Sequence, residues 1–150
     1  MPTVYEHAGG YEALHRFIDV FYSSCLADPL LKPLFGEGQP THVPTLTDFE
    51  AEVFGGPDDF TRKHGGFQHI IDVHRGLHIT EEQRRRFIDL YLTAAEKAGL
   101  PTDAPFREAL RTHVEFGTEV AMQNSHAETD ADLHPLRTMP LWQWPEGQGE

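Results

Sequence analysis

Apolar side chains return at steps of three and four through most of this chain, the period of a helix rather than of a strand. From Tyr11 onward they fall at Leu14, Phe17, Ile18, Phe21, Tyr22 and Cys25. Gly9-Gly10 breaks the chain before this run, after a short turn over residues 1–8. Asp28-Pro29 should end the run, because a residue before proline avoids the helical region. Asp28 then caps a short helix with Pro29 at its first position, carrying Leu30, Leu31, Leu34 and Phe35. A loop over 36–40 leads to a helix from Thr41 or His42, with Leu46, Phe49, Val53 and Phe54 as its apolar stripe. Gly55-Gly56-Pro57 closes it, and a further short helix through Phe60 ends at Gly65-Gly66.

The next stretch places Phe67, Ile70, Ile71 and His74 on one helical face, closed by Gly76. Thr80-Glu81-Glu82-Gln83 reads as a capping box opening a helix to about Lys97. Phe87, Leu90, Tyr91, Ala94 and Ala98 lie along one side of it. After the turn at Gly99-Leu100-Pro101, Asp103 or Thr102 caps a last long helix with Phe106, Leu110, Val114, Gly117, Val120 and Ala121 as its stripe. It should end near Asn124 to His126. No strand pattern and no internal repeat stands out. The fold class is all-α, with a helical domain over residues 1–126. Residues 127–150 hold three prolines, yet also Leu133, Leu136, Met139, Leu141, Trp142 and Trp144. They are expected to form an irregular extension folded back on the domain and fraying at its end.

Composition narrows the functional classes. The net charge of −12 argues against nucleic acid or anionic membrane as a partner, because both need a basic face. A single cysteine, Cys25, excludes an internal disulfide and a cysteine-based metal cluster, and suits a reducing, cytoplasmic setting. No export signal and no membrane span is expected. The run Arg84-Arg85-Arg86 reads as a solvated helix face.

Ten histidines are many for this length, and three of them, His69, His74 and His78, fall close together. A His74/His78 zinc pair is disfavoured, because the H-E-x-x-H pattern is missing and Gly76 interrupts the helix. His74 itself sits on an apolar face, where a histidine is ordinarily a core residue bonded to a carbonyl. Two features point further. Tyr22, Phe35, His42, Leu46 and Phe49 come from separate elements and read as bulky lining for one cavity. The His74 helix is short and bounded by glycines, which suits an arm presenting one side chain to a flat ligand.

The order and spacing of several weak motifs resemble a truncated haemoglobin, most closely the group II, actinobacterial type. They are Gly9-Gly10, Phe21-Tyr22, Asp28-Pro29 leading to Phe35, Phe54-Gly55-Gly56-Pro57, His64-Gly65-Gly66, Val73-His74-Arg75-Gly76-Leu77 and Pro140-Leu141-Trp142-Gln143-Trp144. The resemblance implies a two-over-two helix sandwich around haem b. It implies His74 as the iron ligand and Phe35 as the aromatic packed on the porphyrin. Tyr22 and His42 would be distal polar residues, and Leu46, Phe49, Ile70 and Leu77 would line the cavity. Phe87 falls where this group usually has a tryptophan, whose indole would donate a hydrogen bond. A phenylalanine donates none, so distal stabilisation of a ligand would rest on Tyr22 and His42. Each such charge-assisted bond is worth about 1.5–3 kcal/mol. Arg62, Lys63, His69 and Arg75 are candidates for the haem propionates, with His78 at most on that side or behind the ligand.

The resemblance implies binding of dioxygen and other diatomic ligands. The alternatives are a redox enzyme, acting as a nitric-oxide dioxygenase or peroxidase with a reductase partner, and a haem-free helical interaction protein using Trp142 and Trp144. The oligomeric state is open.

Overall fold

The computed structural model describes residues 3–38, 41–64 and 76–126. Among these it is helical throughout, with α1 Val4–Ala8, α2 Gly10–Ala27, α3 Lys32–Phe35, α4 His42–Val53, α5 Asp59–His64, α6 Glu81–Lys97 and α7 Ala104–Ser125. The expected helix bearing Phe67, Ile70, Ile71 and His74 lies outside the described residues, as does the extension after His126.

Helix α2 is the centre of the fold. Its predicted stripe, from Leu14 to Cys25, is buried in full. It packs on α4 along one side and on α6 along another, while α6 packs on α7. The result is a sandwich of two helix pairs, with Phe17, Phe21 and Tyr91 at the seam. The Tyr91 ring meets Phe17 and Phe21 edge-on at centroid distances of 4.8 and 5.4 Å, a favoured aromatic geometry.

Local signals account for most boundaries. Gly9 adopts φ 112° and carries the chain from α1 into α2, a conformation side chains avoid. Its neighbour α1 has a capping box, in which the Thr3 hydroxyl accepts from the Glu6 amide at 3.0 Å; the short turn expected there is a capped helix. The Thr80/Gln83 box is formed as predicted, and Asp103 rather than Thr102 caps α7.

Three expectations need correction. Asp28 does not open α3. Its carboxylate accepts from the amides of Leu30 and Leu31 at 2.9 and 3.3 Å, which makes a turn, and the helix starts only at Lys32. The arginine run is not a plain solvated face. Arg84 reaches α7, donating to the Glu115 carbonyl at 2.8 Å and to the Thr118 hydroxyl at 3.1 Å, and Arg86 donates to Asp28 at 2.6 Å; Arg85 alone is 77% exposed.

The third correction concerns α4. Its buried face is not simply apolar, for Asp48, Glu50 and Glu52 are all buried. Buried carboxylates need partners, and each has them. Asp48 meets His64 Nε2 at 3.1 Å. Glu52 accepts from the Thr61 amide at 2.9 Å and from the Thr61 hydroxyl. Glu50 takes the Tyr91 hydroxyl at 2.9 Å on one oxygen and faces His113 Nε2 at 3.3 Å with the other. Two of these residues fix α5, which leads toward residue 65. The third ties α4 to α6 and α7.

Candidate ligand pocket between α2 and α4

The α2–α4 interface carries the predicted distal residues. Tyr22 lies near the end of α2 and is 6% exposed. His42 opens α4, and the Tyr22 hydroxyl and His42 Nδ1 form a hydrogen bond across the interface. Phe35, from α3, stands edge-on to Tyr22 at 5.7 Å, and His42 does so at 5.3 Å. Three elements that are separate in sequence thus meet around one phenol.

A fourth contributor was not visible beforehand. Gly38 has φ 78°, and a Cβ there would meet the Tyr22 hydroxyl at 3.1 Å and a Leu26 methyl at 2.9 Å. The backbone of the 36–38 loop therefore closes on the phenol as only glycine permits. The glycines around Glu37 were a loop signal, and nothing in their spacing revealed this contact.

The wall beside the pair is apolar. Val43, Leu46 and Phe49 follow His42 at helical spacing, and each is half-buried against the core rather than within it. Phe49 is held edge-on by Phe60 at 5.3 Å. Phe87 of α6 stacks edge-on with Phe21 at 4.8 Å and is also half-buried. Leu77 is an exposed large apolar side chain, at 36%. Arg62 is exposed on α5 and bonds to Asp58 at 2.8 Å and to Asp59; these pairs hold its guanidinium above its ordinary value, the Asp58 bond contributing most. Lys63 is exposed beside it. His69, Ile70, His74 and Arg75 lie outside the described residues.

Large apolar groups that stop short of the core, with a phenol and an imidazole among them, form a surface suited to a flat apolar ligand with a polar reactive centre. These residues sit on a two-pair helical sandwich, the architecture of the truncated globins.

The sequence matches the bacterial-like globin family over residues 3–124. It is 27% identical to a group 1 truncated hemoglobin of Tetrahymena pyriformis over 110 residues, 73% of this chain and 86% of the relative. It is 27% identical to a group 2 truncated hemoglobin of Bacillus subtilis over 119 residues, 79% of this chain and 88% of the relative. The solved structure of a truncated oxygen-avid haemoglobin from Bacillus subtilis superposes with a TM-score of 0.70 at 27% identity, covering 79% of this chain and 97% of that one. The chain belongs to the bacterial-like globin family, as a truncated haemoglobin, and its group II relatives support placing it in group II. It is a haem-binding globin with haem b as cofactor. The haem-free reading gives way to this. The residues fit the group: Phe35, Leu46, Phe49 and Phe87 are half-buried apolar side chains available to a porphyrin, and Tyr22 and His42 supply a hydrogen-bonded polar pair.

Proposed function

We propose that this globin binds dioxygen and other diatomic ligands at its haem, with His74 as the iron ligand and the Tyr22–His42 pair facing the bound ligand. Haem b supplies the iron at which such a ligand binds. The protein's own part is to hold His74 on its glycine-bounded arm and to exclude water with Phe35, Leu46, Phe49, Ile70, Leu77 and Phe87. Arg62, Lys63 and His69 take the propionates. A cytoplasmic location goes with this reading, since Cys25 is a free thiol suited to a reducing compartment.

The observation that carries the proposal is the Tyr22–His42 hydrogen bond. It makes the two distal donors interdependent. If the Tyr22 hydroxyl donates to Nδ1, His42 keeps its proton on Nε2 and that N–H is the donor to the ligand. If Nδ1–H donates to the phenol oxygen, the Tyr22 O–H turns to the ligand instead. With a neutral imidazole, the pair directs one proton outward in either arrangement. Phe87 adds no donor.

Oxygen dissociation should therefore change little in Tyr22→Phe or His42→Leu alone, since the remaining partner can still donate. The double variant should release oxygen about ten- to hundredfold faster, the loss of one charge-assisted bond. An unchanged rate in the double variant overturns the distal assignment. Loss or displacement of the Soret band in His74→Ala tests the iron ligand.

A further inference from the structure

Away from the pocket, two exposed histidines face each other where the chain enters α6 and leaves α7. The Nδ1 atoms of His78 and His126 are 3.4 Å apart, with ring centroids at 5.4 Å and planes inclined by 64°. Hydrogen bonds to nitrogen donors cluster near about 2.9–3.0 Å, so this contact is long for one. It does match two imidazoles on one metal ion. Two nitrogens at about 2.0–2.1 Å from an ion with tetrahedral angles stand about 3.3–3.4 Å apart.

The surroundings fix both rings. His126 Nε2 lies 2.9 Å from the carbonyl oxygen of Ile79. A carbonyl only accepts, so Nε2 carries the proton and the neutral ring turns its Nδ1 lone pair toward His78. A ring N–H given to a backbone carbonyl is the usual support behind a metal-bound histidine. His78 has φ 51°, the one positive φ outside glycine among the described residues. Side chains avoid that region unless the surroundings impose it. Here they do: the Gly76 and His78 amides donate to the Ser125 carbonyl at 3.1 and 3.0 Å, and the Ile79 amide donates to the Ser125 hydroxyl at 2.9 Å. Ser125 is fully buried, so the strap that aims His78 at His126 is anchored in the protein interior.

We infer that His78 and His126 form a surface site for a divalent transition-metal ion, with water completing its coordination. Two imidazoles, with no third metal-ligating side chain beside them among the described residues, select copper, nickel or zinc over calcium or magnesium. On binding, His78 keeps its proton on Nε2 and offers Nδ1, and the ion clasps the segment entering α6 to the end of α7. The chain's net charge of −12 favours cation approach.

The test is calorimetric titration of the haem-loaded, tag-free full chain with Ni²⁺ and separately with Zn²⁺. One equivalent should bind and raise the melting temperature. His126→Ala and His78→Asn should each weaken binding about tenfold or more and abolish the melting shift; asparagine tolerates positive φ, so this variant keeps the strap. His15→Ala, an exposed histidine on α2, should bind as the wild type does. Failure of the wild type to bind, or equal binding in the His78 and His126 variants, overturns the site and leaves a simple imidazole contact.

Discussion

At the scale of single residues, the polar groups in the core carry more than their number suggests. Tyr91 and Glu50 are both buried, and burial first, then the Glu50 carboxylate, pushes the Tyr91 phenol well above its ordinary value. Tyr91→Phe removes the donor from one Glu50 oxygen and should cost about 1–3 kcal/mol, read from the urea midpoint. The sequence could not show this. Periodicity marked Leu46 and Phe49 as the inward side of α4, but the partners of Glu50 lie 41 and 63 residues away. No local spacing encodes such a pairing. Tyr22, Phe35 and His42, by contrast, were readable as one lining, because each is a bulky or polar residue on a helix whose ends are well punctuated. At Phe87 the resemblance implies a lost indole donor. Phe87→Trp should restore it and slow oxygen release by about tenfold or more, measured by stopped flow.

At the scale of elements, capping determined where sequence reading succeeded. Thr80 and Gln83 bond as their spacing demands, and α6 runs to Lys97 as expected. Asp28 misled because an aspartate can cap a turn as readily as a helix. Asp103 has two roles. It caps α7 through the Phe106 amide at 3.2 Å and binds His7 of α1 at 2.8 Å. The His7 bond is the main reason its carboxyl sits below the ordinary value. Asp103→Ala should lower stability by about 1 kcal/mol through the cap alone, seen in thermal melting. Gly38→Ala belongs to this scale too. At φ 78° the backbone is strained by any side chain, and the new methyl meets the Tyr22 hydroxyl and Leu26. The variant should melt earlier, seen in thermal melting.

For the whole molecule, the order of helices was legible and their partners were not. Apolar stripes say that α2 is buried but not that α4 and α6 share it. Two buried groups on those surfaces respond to alkali. Burial raises the Cys25 thiol from 9.0 to about 12, and Tyr91 is also raised. Both are neutral in the fold and ionise more readily when unfolded. Their contribution is complete below their ordinary values of 9.0 and 10.0 and is lost as pH climbs past them. Denaturant midpoints should fall steadily above about pH 9, and less steeply in Tyr91→Phe. Native Cys25 should resist thiol reagents at pH 8.

The carboxylate of Glu50 also sets an order of assembly. It is satisfied only when α6 brings Tyr91 and α7 brings His113 to it. Docking α4 earlier would strand a charge away from water. Helix α4 should therefore close last, over an α2–α6–α7 nucleus, and the wall bearing His42 and Phe49 should be the final part of the pocket to form. Glu50→Gln should then speed unfolding while leaving the refolding rate nearly unchanged in stopped-flow chevrons.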